Sequence, residues 1–108
     1  MTDDPTPRRV EGVSLGLGER TGALLVYQTR AARGKTIYAW DAAKRQTREH
    51  RAEVQERTVD GRPAWVAVFA GLRAGSYEVI GPWGGQEARV EVAPGRVTEL
   101  DWREPAPS

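Results

Sequence analysis

The sequence predicts an all-β domain, a sandwich of about seven antiparallel strands. Short apolar runs, rich in β-branched and aromatic residues, recur along the chain between turns that contain Gly or Pro. Several of these runs alternate apolar with polar residues at period two, and none carries an apolar stripe at helical spacing. With 108 residues the chain has room for one core and one domain.

Residues 1–11, with Pro5 and Pro7 among charged side chains, read as a tail. The body is expected over residues 12–103. Residues 23–27 form the first clear strand; it is apolar on both faces, which places it in the middle of a sheet. Residues 31–34 lead into a second strand, 36–40, with Tyr38 and Trp40. Residues 42–57 are rich in helix formers but lack an apolar stripe, while His50, Ala52 and Val54 share one face at period two. A loop over 41–48 followed by one strand over 49–59 fits best, with a short helix in the loop as the alternative. Asp60-Gly61 marks a hairpin. Residues 64–69 follow, with Trp65, Ala67 and Phe69 on one face and Val66 and Val68 on the other. After a turn over 71–75 comes a strand over 76–80, with Tyr77 and Val79 facing together. The turn over 81–85 carries Pro82 and Trp83. Residues 88–92 alternate as a half-buried strand, Pro94-Gly95 turns it, and residues 96–103 close the body with Leu100 and Trp102 on one face. Residues 104–108 read as a second tail.

Phe69, Gly71, Leu72, Gly75, Ser76, Tyr77, Val79, Val90, Val92, Gly95, Val97, Leu100 and Trp102 together resemble the end of a transthyretin-like (prealbumin-like) β-sandwich. The resemblance is to the carboxypeptidase regulatory-like and Cna-B-type domains and covers about a third of the chain; an immunoglobulin-like sandwich is the alternative. These are turn and core positions, so the resemblance implies a fold rather than an activity. Hydroxyisourate hydrolases of this fold rely on several His residues and a Tyr-Arg-Gly-Ser ending, whereas this chain has His50 alone and ends on Glu104-Pro105-Ala106-Pro107-Ser108. For the internal Lys–Asn isopeptide bond of Cna-B-type domains the chain has no Asn and no Lys in the first strand, which leaves Lys35 to Asp101 as the one formal pairing.

Sixteen basic residues meet fifteen acidic ones, a net charge of +1, which lacks the basic excess of a nucleic-acid binder. Nearly all the cations are Arg, as in proteins of high-GC genomes. The absence of Cys excludes disulfides, thiolate metal sites and a Cys nucleophile. No secretory leader and no apolar run of about 18 residues are visible, so a cytoplasmic protein is expected. His50, the one His, stands in a basic stretch with Lys44, Arg45, Arg48, Arg51 and Arg57. A lone His makes neither a triad nor a metal site. Gly16-Leu17-Gly18 precedes a strand rather than a helix and so lacks the context of a phosphate loop. No cofactor is implied.

Three sets of candidate contact residues remain. Trp83, beside Pro82 at a turn, either meets a partner or folds back to plug the core. Val13, Leu15 and Leu17 suit an edge strand open to a partner. Arg45, Arg48 and Arg51 lie in the densest basic run and suit an anion or an acidic partner surface. Trp40, Trp65 and Trp102 are expected in the core or capping it. The function these features favour is a non-catalytic protein-interaction module, an accessory subunit or assembly adaptor with an unidentified protein partner. A carbohydrate- or small-ligand-binding sandwich using Trp83 and Tyr38 is the alternative. A weak nucleic-acid or anion contact through residues 44–51 comes third, and an enzyme acting through Asp41, Glu49 or Glu53 last.

Overall fold

The computed structural model describes residues 8–43 and 49–103. It is an eight-stranded sandwich: β1 Thr21–Gln28, β2 Thr36–Asp41, β3 Glu49–Glu53, β4 Gln55–Val59, β5 Arg62–Arg73, β6 Gly75–Ile80, β7 Glu87–Val92 and β8 Val97–Asp101, with one 3-10 turn at Arg30–Ala32. The first sheet runs β4-β5-β1-β8 and the second β3-β2-β6-β7. All pairings are antiparallel except β1–β8, which is parallel. The mostly antiparallel sandwich expected from period-two alternation is therefore present, with one strand more and one parallel ladder.

The extra strand arises at Val54. Residues 49–59 were expected as one strand, but the chain changes sheets there, ending β3 at Glu53 and starting β4 at Gln55. Val54 is completely buried, its N–H donates to the Lys35 carbonyl (2.9 Å), and its own carbonyl accepts from Gly34 N–H (2.8 Å). The corner thus loses no backbone hydrogen bond, which a buried crossover requires. The Asp60-Gly61 hairpin forms as its dipeptide predicts, with φ +50° and +83° at the two central residues and Val59 paired to Arg62.

The core lies between the sheets. Leu24, Val26, Ile37, Ala39, Ala67, Phe69, Leu72, Tyr77, Val79 and Val92 pack there, with Trp65, Leu100 and Trp102 partly buried against them. The face assignments for 64–69, 76–80 and 96–103 hold. Strand β5 is longer than expected because it continues through Gly71 to Arg73, across a register irregularity opposite Gly22–Leu24.

A second apolar cluster lies on the outer face of the first sheet: Leu25, Tyr27, Val59 and Val66, with Val68, Ala64 and Val97 at its margin. It is covered by residues 8–17, which cross the sheet as a strap. Val10, assigned to a tail by composition, is 2% exposed and bridges Val59. Glu11 N–H donates to Thr58 carbonyl (2.9 Å) and Asp60 N–H to Arg9 carbonyl (2.8 Å). Further along, Gly71 N–H donates to Leu15 carbonyl (3.0 Å), so the amide at the β5 irregularity is taken up by the strap. This explains why residues 23–27 are apolar on both faces: one side meets the second sheet and the other meets the strap.

Candidate interaction surface

The turn expected to carry Pro82 and Trp83 is a closed, anchored hairpin joining β6 to β7. Gly81 N–H donates to the Gln86 carbonyl (2.8 Å) and Gln86 N–H to the Trp83 carbonyl (3.1 Å). Gln86 is itself fixed from below. Its side-chain oxygen accepts from the Gln28 amide (2.9 Å) and its amide donates back (3.4 Å), while Gln28 at the end of β1 is 1% exposed. A buried amide held by a reciprocal pair has no unmet polar atom and a fixed rotamer. On this base Pro82 is half-buried and Trp83 stands 40% exposed, one of two large apolar side chains in that state among the described residues. Trp83 does not plug the core; Trp102, close to the Gly81 backbone, lies nearer that position.

Ile80 is the other, 37% exposed. It lies on the outer face of the second sheet, which no other segment among the described residues covers. The inward side chains of β2, Ile37 and Ala39, are completely buried, so Tyr38 and Trp40 point outward. Trp40 was expected in or capping the core; it is instead an outer-face residue, its ring stacked on Tyr38 with centroids 5.8 Å apart and planes 21° apart. Across the face the register sets Arg51, Tyr38, Ile80 and Glu87 in one row. The next row holds position 49, Trp40, Glu78 and Arg89. Arg51, Glu87 and Arg89 are exposed. A shallow depression of about 310 Å³ runs between β6 and β7, lined by Glu78, Ile80, Glu87 and Arg89. Arg51, read from sequence only as part of a basic run, is thus the flank of an aromatic stripe. Arg45 and Arg48 lie outside the described residues.

Val13, Leu15 and Leu17 do not form an open edge strand. Val13 and Leu15 pack half-buried against the outer apolar cluster, and all three line a depression of about 560 Å³ along the strap. Their alternation serves the chain's own sheet.

The strap is pinned by a polar cluster that the sequence does not announce. The Arg8 guanidinium contacts Asp60 (2.8 Å) and Glu99 (3.0 Å), and Arg9 N–H donates to the other Asp60 oxygen (2.8 Å). Tyr27, 6% exposed, donates its hydroxyl to Glu99 (2.5 Å) and lies under the Arg103 guanidinium, 4.7 Å from the ring centre. Arg103 also grips Asp101 through two nitrogens (2.9 and 2.6 Å). Burial, reinforced by the bond to Glu99, pushes the Tyr27 phenol well above its usual range. The Arg8 hydrogen bond, aided by the Arg9 amide, holds the Asp60 carboxyl below its ordinary value. Asp101 is lowered mainly by its hydrogen bond from Arg103. These groups border an open cleft of about 710 Å³ that also includes Arg62 and Pro63.

His50 is half-buried at the rim, its ring edge-on to Tyr77 with centroids 6.0 Å apart. Among the described residues no group of His, Asp and Glu side chains has the arrangement of a metal site, and no helix is long and apolar enough to cross a membrane. No family model, no curated protein and no solved structure matches the chain.

Proposed function

We propose that the chain is a non-catalytic protein-interaction module, an accessory subunit or assembly adaptor. Its contact surface is the outer face of the second sheet together with the Trp83 hairpin. The carrying observation is the contrast between the two outer faces. One has an apolar cluster crossed by residues 8–17, with Leu25 and Val66 completely buried, while the other presents Tyr38, Trp40 and Ile80, with the anchored Trp83 turn following β6. Large apolar side chains gathered on one exposed patch mark contact surfaces. An aromatic held on a closed, hydrogen-bonded hairpin loses little freedom on binding. The polar cluster supports the non-catalytic part: Asp60 and Asp101 are held ionised by Arg and are poor bases near neutral pH.

A transthyretin-like origin belongs to the same proposal, supported by the positions of Phe69, Leu72, Tyr77, Val79 and Val92 in the core.

The test is affinity capture with the tagged full chain, comparing wild type with Tyr38→Ala, Trp83→Ala and, on the opposite face, Arg62→Ala. A stoichiometric partner retained by Arg62→Ala and lost by the aromatic variants is the expected result. Equal retention by all four proteins, or capture by none, would overturn the reading.

A further inference from the structure

Resting on the interaction-module reading, we propose that the occupant of the outer β3-β2-β6-β7 face is a second copy of this chain, related by a two-fold axis parallel to the strands. The argument comes from the order of charges across the face. The four strands form columns with β2 and β6 in the middle. A two-fold axis lying in the interface between β2 and β6 places β3 of one copy over β7 of the other, row for row. The row Arg51, Tyr38, Ile80, Glu87 then meets its own reverse. Arg51 lies over Glu87 of the second copy, Glu87 over its Arg51, and the two Tyr38–Ile80 contacts fill the centre. In the neighbouring row the same rotation sets Trp40 over Glu78 of the second copy, so the charge complementarity lies in the Arg51 row. Along the Arg51 row the face is therefore complementary to itself in charge as well as in apolar character, the condition for an isologous interface.

Shape agrees with charge. Tyr38 of the second copy comes over the depression lined by Glu78, Ile80, Glu87 and Arg89, where an aromatic knob has an aliphatic floor and a polar rim. Among the described residues neither Arg51 nor Glu87 has an ion-pair partner, so the cross-copy pairs displace none there. Face-to-face sheets pack about 10 Å apart with strands within about 30° of parallel, which this axis permits. A four-strand face with its hairpin offers on the order of 500 Å² per copy, the low end for a specific interface. Association with a Kd of about micromolar order is expected.

The experiment is sedimentation equilibrium of the purified full chain over a concentration series, with Arg51→Glu, Glu87→Arg and the double exchange. Wild type is expected to dimerise. Each single reversal sets like charges against one another in both symmetric contacts and is expected to weaken the dimer at least about tenfold. The double exchange restores opposite charges and is expected to restore dimerisation, a result that general misfolding cannot produce. A wild-type monomer at every concentration, or a dimer indifferent to both single reversals, would overturn the second-copy assignment. The interaction-module reading fails separately, by the capture experiment: a monomer that still captures another protein through Tyr38 and Trp83 defeats this assignment alone.

Discussion

Val10 offers the sharpest test of the strap. It lies outside every named strand, in a stretch whose composition reads as a tail, yet it is 2% exposed and packs with Leu25, Tyr27, Val59 and Val66. Val10→Ala removes two methyl groups. At about 0.8 kcal/mol for each buried carbon, the transfer loss is about 1.6 kcal/mol. A cavity contribution adds to this, but the strap has solvent rather than a third layer behind it, so it can settle and partly close the gap. The expected total is about 2 kcal/mol. With a urea m-value of about 2 kcal/mol/M, the unfolding midpoint should fall by about 1 M at unchanged slope, and the melting temperature by about 10 °C. A shift equivalent to less than about 0.5 kcal/mol, the range of neutral surface substitutions, would show that residues 8–17 are not part of the folded core.

Two further outcomes follow from the same region. Asp60 has a folded pKa lowered by Arg8 and the Arg9 amide, so its contribution to stability is present above its unfolded value of about 3.9 and is lost as pH falls through the lower folded value. Exchange protection of the Glu11 and Asp60 amides should therefore drop below about pH 4, and Asp60→Asn should already lack that protection at neutral pH; an acid response unchanged in Asp60→Asn would exclude the Arg8–Asp60 contact as its source. Gly16 sits at φ +64° with an added Cβ only 2.8 Å from the Gly71 backbone, so Gly16→Ala combines a left-handed conformation with a backbone clash. Destabilisation of about 2 kcal/mol is expected in the same urea titration, and a neutral substitution would mean that the strap does not cross β5 at Gly71.

The strands were legible because alternation and turn residues are local signals: Asp60-Gly61, Trp65/Ala67/Phe69 and Tyr77/Val79 all act as their sequence implies. The corner at Val54 was not. Period-two alternation runs smoothly through His50, Ala52 and Val54, and the change of sheet depends on distant backbone partners at Gly34 and Lys35. Trp40 failed for a different reason. Alternation sorts a strand into two faces but does not say which meets the core, and in β2 the smaller pair, Ile37 and Ala39, goes inward while the aromatic pair goes out. A usable signal existed one strand away: in β6 the same face that holds Ile80 also holds Glu78, an acidic residue that belongs outside. The polar cluster at Tyr27 was invisible because its other members come from three separated segments: Arg8 from the strap, Asp60 from the hairpin, and Glu99 and Arg103 from β8 and its end.

The strap and the open face also bear on each other through symmetry. A sandwich with two uncovered apolar faces stacks on both, and face-to-face stacking that uses two different surfaces propagates without closing. Residues 8–17 remove one of those surfaces: Leu25 and Val66 are completely buried beneath them, and the strap is flanked by the charges of Arg8, Asp60, Glu99 and Arg103. The sheet margins are blunted in another way, with Gln55, Glu56 and Arg57 along β4 and Glu87, Arg89 and Glu91 along β7, side chains of the kind that oppose edge-to-edge pairing. Among the described residues, the outer face of the second sheet keeps its aromatic stripe uncovered, and the charge order of its Arg51 row reverses under a two-fold axis. On the proposed arrangement a complex built through the outer face of the second sheet closes at two copies, because each copy has then used that face.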